Sequence, residues 1–361
     1  MKPLLSEIRR NKLLWLLVFA PALFVAHRIA PEKHTLLFVL SVLAITPLAA
    51  LLSLATESVA SRTGDSIGGL INATLGNLTE LLIALAALNA GQYMLVKASI
   101  VGAIVTNTLF MLGTSMLLGG LKHRLQSYNT TNARLQTAML LLATVALLIP
   151  SAIAASDKGA FSKIGSTLSL GLAVLLFVAY GLSMLFSMKT HREFFQGAGE
   201  DHVDEPLLPL AAALVTLAGV TVLIALVSEI FVDSVQQAAV SFGMTPAFVG
   251  FIVVPLVGGA AEMASSFSAA RKNRLDLSMG IAMGSATQIA LFVAPFLVFA
   301  SYLIGPQPMD FQFWPGAVVM ILIATATASS VLASGKSAWF VGVQLLMVYA
   351  IFAMTFYLLP P

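Results

Sequence analysis

The chain has 361 residues, 58% of them hydrophobic and only 10% charged, with a formal net charge of +3. A soluble domain carries about a quarter charged residues, so water cannot solvate this whole surface and lipid must cover most of it. The absence of cysteine excludes disulfides and thiolate chemistry. The basic residues are scattered among short loops and form no nucleic-acid-binding stripe.

A helix needs about twenty mostly apolar residues to cross the hydrocarbon core. Taken in chain order, the stretches that qualify are 12–30, 35–56, 66–89, 96–119, 133–154, 163–187, 207–232, 245–270, 277–304, 314–334 and 338–359. They are too long and too uniformly apolar for barrel strands, so an all-α membrane protein with about eleven spans is predicted. The first run, Leu13 to Ala26, follows a basic segment and has the outline of a signal peptide. Ala26 leads into His27-Arg28 with no small-residue cleavage site, so a retained span is the better reading.

Loop charge sets orientation. With a cytoplasmic N-terminus, fourteen of the nineteen lysines and arginines fall inside and five, Arg28, Lys33, Lys97, Lys158 and Lys163, fall outside. The expectation is an integral protein of the cell (inner) membrane with its N-terminus cytoplasmic and its C-terminus external. The lipid bilayer is its principal partner, and a homo-oligomer is left open.

Two segments repeat. The first holds Ala55-Thr56-Glu57-Ser58-Val59, then Gly76-Asn77-Leu78-Thr79-Glu80, then Gly102 to Phe110. The second holds Val227-Ser228-Glu229-Ile230-Phe231, then Gly258-Gly259-Ala260-Ala261-Glu262, then Gly284 to Phe292. Glu80 to Gly102 and Glu262 to Gly284 are both 22 residues apart. The copies start five helices apart, so equivalent helices run in opposite directions, an inverted-topology repeat. The expected organisation is an N-terminal segment with an extra helix (1–34), a first five-helix repeat (35–188), an acidic cytoplasmic linker (189–206) and a second five-helix repeat (207–361).

Four glutamates lie in or at the edges of apolar spans: Glu57, Glu80, Glu229 and Glu262. An ionised carboxylate at the bilayer centre costs roughly 2.5–3.5 kcal/mol on insertion scales, so such residues are usually functional. Glu80 and Glu262 sit deep and at matching places. Glu57 and Glu229 lie nearer span ends, where simple access to water competes with a functional role. No lysine or arginine lies deep in a span to neutralise them. The compensating charge is then a proton or a metal, and hard oxygen donors suit calcium or magnesium. Asn77, three residues before Glu80, shares its helix face. Gly76, Gly258 and Gly259 offer bare backbone for carbonyl ligation, or close helix packing. Asn107 and Gln288 offer amide oxygens, or interhelical hydrogen bonds, and Asn72 and Thr79 are weaker candidates of the same kind.

A buried carboxylate pair resists ionisation, so cation and protons compete for the same oxygens. If the protein can change its open side only when the pair is neutralised, ion flow one way obliges proton flow the other way. No Gly-x-x-x-x-Gly-Lys-Ser/Thr phosphate loop occurs, and no cofactor is expected.

At these residues the chain resembles the calcium/cation antiporter superfamily, specifically its calcium/proton exchanger family. The resemblance rests on Gly76 to Glu80, on Gly258 to Glu262 and on the long stretch Arg271 to Pro295, which contains Gly284-Ser285-Ala286-Thr287-Gln288. It implies that Glu80 and Glu262 bind the cation and exchange it for protons, with Glu57, Glu229, Asn107 and Gln288 in the ion path. It also implies an acidic connection between the halves, here Glu193, Glu200, Asp201, Asp204 and Glu205, which would attract calcium or serve as a solvated linker. Many members carry Asn where this chain has Gly259 and His where it has Met263. The first difference removes a side-chain ligand, and both weaken the basis for calcium over sodium. The alternatives are a sodium or potassium/proton antiporter with calcium as secondary substrate, and a passive cation channel. An enzyme is not expected, since the spans lack an aspartate pair, His-Glu-x-x-His or a Ser-His arrangement.

Overall fold

The computed structural model describes residues 11–63, 65–191 and 208–358. Within them the chain is almost wholly helical. The helices are α1 (Lys12–Ile29), α2 (His34–Ala60), α3 (Asp65–Leu75), α4 (Leu78–Asn89), α5 (Tyr93–His123), α6 (Thr130–Ser156), α7 (Lys158–Leu185), α8 (Leu210–Ser241), α9 (Pro246–Gly258), α10 (Ala260–Arg271), α11 (Leu275–Ser301), α12 (Pro315–Leu332) and α13 (Trp339–Leu358). Among the described residues nine unbroken helices are long and apolar enough to cross a membrane, and α9 with α10 forms a tenth span bent by 60°.

The expected span 66–89 is two short helices, α3 and α4, neither long enough to cross alone. The interruption falls at Gly76-Asn77, where Asn77 has φ −99° and ψ 27°, outside helical geometry. The second interruption falls at the matching place, Gly259, with φ −82° and ψ 9°. Hydropathy averages over such a break because the residues around it remain apolar. The helix expected at 207–232 runs on to Ser241 and stops before Gly243, whose φ of +66° needs glycine. Pro47 and Pro150 lie within helices, at positions where neighbouring helices can satisfy the freed backbone groups.

Two short strands depart from the all-helical expectation. Leu125–Ser127 pairs antiparallel with Lys336–Ala338, Gln126 opposite Ser337. Gln126 also reaches across, its Nε2 donating to the Ala270 carbonyl at 2.9 Å and to Asn273 Oδ1 at 3.0 Å. At the other end of the helices Lys97 donates to Asp310 at 2.6 Å and to the Gln312 carbonyl at 2.8 Å, and Tyr93 hydrogen-bonds Gln307. Loops around 125, 273 and 336 thus gather at one end, and loops around 92 and 310 at the other.

The most extensive helix contact joins α2 to α8, the helices that carry Glu57 and Glu229. Helices α5 and α11 are enclosed by the others, while α7 and α8 expose large apolar side chains such as Leu175, Leu182, Val215 and Val222 to the outside. An apolar outer face with a small-residue, partly polar interior is the distribution lipid demands. Both enclosed helices contain a π-helical turn, Thr106–Met111 in α5 and Ile289–Val293 in α11. Such turns widen a helix locally and occur often at functional sites.

Candidate functional site

Glu80 lies in the first turn of α4 and Glu262 in the first turn of α10. Each therefore follows a helix interruption, at the end of the helix whose dipole favours negative charge. Glu80 is buried, while Glu262 is partly buried.

The two carboxylates exchange seats. A Cβ placed on Gly258 would lie 3.0 Å from Glu80 Cγ and 3.3 Å from its Oε1, and one on Gly259 would lie 3.3 Å from that same oxygen. Conversely, a Cβ on Gly76 would lie 3.8 Å from Glu262 Oε1 and 3.4 Å from Gln288 Oε1. Each glutamate thus packs beside the glycine of the opposite break; for Glu80 a Cβ at either Gly258 or Gly259 would be tight, whereas Glu262 lies at ordinary contact distance from Gly76. The Oε2 atom of Glu262 is buried and has no hydrogen-bond partner. Two carboxylates held together away from water repel each other, and a cation or protons would relieve that repulsion.

The amides expected as ligands are tied to one another. Asn77 Nδ2 donates to Gln288 Oε1 at 2.7 Å, Ser285 Oγ donates to Asn77 Oδ1 at 2.7 Å, and Asn107 Nδ2 donates to Ser285 Oγ at 2.8 Å. Asn77 does not share the α4 helix with Glu80 as the three-residue spacing suggests; it occupies the break, and its side chain caps nothing. Ser285, which sequence reasoning missed, is the hub. Its only signal was a position within the Gly284-to-Gln288 stretch. Ser285→Ala should lower the melting temperature of the purified protein, because it strands two buried amide groups, each costing about 1–3 kcal/mol. An unchanged melting curve would remove Ser285 from this role.

Thr79 is buried beside Glu80, whereas Asn72 lies exposed on α3. Glu57 lines a cleft of about 390 Å³ together with Asn11, Lys12, Ser53, Ala261 and Ser265. On α10 the cleft is lined by Ala261, Ala264, Ser265 and Ser268, one face of the helix that carries Glu262 in its first turn. Glu229 stands on an exposed face of α8. The acidic residues Glu193, Glu200, Asp201, Asp204 and Glu205 lie outside the described residues. Thr56 and Ser228, neighbours of Glu57 and Glu229, are a second omission: both hydroxyls are buried without a hydrogen-bond partner. Among the described residues no three His, Asp or Glu side chains cluster as a metal site, so the two glutamates and nearby backbone form the candidate oxygen set.

A family model described as sodium/calcium exchanger protein matches residues 33–189 and 212–358. A Ca2+/H+ antiporter of Aphanothece halophytica is 39% identical over 360 residues, covering 96% of each chain. One from Synechocystis is 40% identical over 362 residues, with the same coverage. The solved structure of YfkE, a Ca2+/H+ antiporter protein, superposes with a TM-score of 0.83 at 33% identity, covering 96% of this chain and all of that one. An H+/Ca2+ exchanger, CAX, shares the fold at a TM-score of 0.71 and 16% identity, covering 96% of this chain and 92% of its own. With matches over most of the chain and helices built to cross a bilayer, this integral membrane protein belongs to the sodium/calcium exchanger protein family.

Proposed function

We propose that the protein exchanges Ca2+ for H+ across the membrane by alternating access, moving ions without chemical conversion of a substrate. The observation that carries this reading is the reciprocal seating of Glu80 on Gly258-Gly259 and of Glu262 beside Gly76. Two carboxylates match one divalent ion in charge, and protons compete for the same oxygens. The relatives that are antiporters of these two ions, at about 40% identity, support the choice.

In this reading α3 with α4, and α9 with α10, are equivalent broken spans of two inverted repeats, 35–188 and 207–361, and α1 stands outside the duplication. Counting α3 with α4 as one crossing gives eleven. The gathering of loops at two ends fits that alternation. Positive loop charge then directs the N-terminus, and the cleft at Glu57, to the cytoplasm, and the cell membrane is the proposed location. The segment 189–206 is the proposed acidic linker.

The test is proton release from acidified everted vesicles across a panel of cations. Calcium is expected to dissipate the gradient. Release by sodium or potassium with no response to calcium would replace this reading with its nearest rival, a monovalent cation/proton antiporter. That rival is favoured by one observation, the missing side chain at Gly259.

A further inference from the structure

The turns that follow the two glutamate helices match. Gln92 and Arg274 each stand 12 residues after their glutamate, at the N-cap of the enclosed helices α5 and α11. Each follows a residue of positive φ, Gly91 at +69° and Asn273 at +61°. Each donates its backbone N–H to a carbonyl of the preceding helix, Gln92 to Ala87 at 2.8 Å and Arg274 to Ala269 at 2.9 Å. Their side chains differ in what they hold. Gln92 Nε2 donates to the Val232 carbonyl of α8 at 3.0 Å, and its Oε1 is buried with no partner. Among the described residues no hydrogen bond or ion pair engages the Arg274 side chain. The surroundings differ in the same sense. Beside Gln92, α8 packs on α4. In the other half a cleft opens between α2 and α10, lined by Ser265. Ser265 is exposed three residues after Glu262, while Ile83, three residues after Glu80, is only 1% exposed.

The geometry points to Gln92 and Arg274 as alternate latches of one transport cycle: Gln92 holds α8 while the external side is shut, and Arg274 takes the last turn of α2 when the cytoplasmic side shuts. The proposal rests on the exchanger reading above and names residues that set which side is open. The crossing between halves carries it. Val232 stands three residues after Glu229, and Ala60, the last residue of α2, three after Glu57. The residue types fit their targets. Helix α8 continues past Val232 to Ser241, so that carbonyl lies within a helix and suits a neutral amide. Helix α2 ends at Ala60, and its last carbonyls form the negative end of a helix dipole, which favours a guanidinium. Thr63 holds the Ala60 carbonyl here, its N–H at 3.2 Å and its hydroxyl at 3.0 Å, so the second latch would replace a local turn. The first latch is releasable for a physical reason. Opening the external side would bring water to the buried Gln92 Oε1 and offset the lost hydrogen bond.

The experiment uses the absence of cysteine, which gives a thiol reporter no background. Ser265→Cys reports the cytoplasmic cleft and Ile83→Cys its external counterpart, each introduced singly. Purified protein in nanodiscs, where a water-soluble maleimide reaches both faces, is labelled at one fixed calcium concentration. The quantity read is the Ile83→Cys labelling rate divided by the Ser265→Cys rate. Gln92→Ala should raise this ratio about threefold or more, because the external latch is lost. Gln92→Met, which keeps the length of the side chain and removes the donor, should raise it likewise. Arg274→Ala should lower the ratio about threefold or more, because the cytoplasmic latch is lost. Shifts in the same direction at both positions, or no shift at either, would overturn the proposal, since general damage to the fold has no reason to move the two reporters oppositely. Failure of the exchanger reading has a separate signature: wild type in vesicles that releases no protons with calcium. The opposed labelling shifts test the latches in either case.

Discussion

Replacing Glu80 by glutamine should lower calcium-driven proton release by about 100-fold or more, because removing one partner of a buried charged set costs about 3–5 kcal/mol. Glutamine nearly keeps the shape that packs on Gly258, so the seat stays filled. Under the proposed function, what it loses is the negative charge that attracts the cation and the oxygen that accepts the exchanged proton. Membrane insertion should be unaffected, since a neutral amide is less costly to bury than a carboxylate. Glu262→Gln should have an effect of the same size: Glu262 Oε2 is the buried oxygen that lacks a protein partner, and Ala261 beside it lines the cleft. The measurement is fluorescence-monitored proton movement in vesicles, normalised to inserted protein. Near-normal calcium response in either variant would move the site elsewhere.

The second large effect concerns folding. Gly102→Val should destabilise the protein by about 3 kcal/mol or more, at or beyond the upper end of ordinary overpacking. Gly102 on α5 lies against Phe251 in the π-helical turn of α9, and any Cβ there would overlap the Phe251 backbone. Backbone cannot rotate aside as a side chain can. Phe251 is itself fully buried and stacks on Phe356 with ring centroids 4.8 Å apart. The clash would therefore separate two helices in the packed interior. The expected reading is a sharp loss of monodisperse protein after detergent extraction, and a lowered melting temperature in what remains. Gly284→Ala is the control, expected to lie within about 1 kcal/mol of wild type. Comparable behaviour of the two variants would contradict the packing described.

These two glycines mark where sequence reasoning stops. They occupy matching places in the repeat, 22 residues after Glu80 and Glu262, and nothing along the chain distinguishes them. One is wedged against a neighbouring backbone and the other faces open space. Likewise Asn77 and Gln288 look like candidate ligands by residue type, yet they hydrogen-bond each other across 211 positions of sequence. The count of eleven spans met the same obstacle. Hydropathy cannot register a break at Gly76-Asn77 or at Gly259, because a change of backbone direction leaves the apolar average unaltered.

The sequence alone determined the solvent, the two similar segments and which acidic residues stand out as candidates. Each is a one-dimensional signal: too little charge for water to cover the surface, a spacing repeated in both halves, and acidic groups where insertion penalises them. Only the tertiary structure decided that Glu80 rests on the glycines of the second break, that Ser285 joins the amides of both halves, that Glu57 borders a cleft reaching Ala261, and that Gly102 tolerates no side chain. The physical reason is that ligand geometry and packing depend on distances between segments far apart in the chain. Those distances are set jointly by every helix contact, and no residue carries them in its own chemistry.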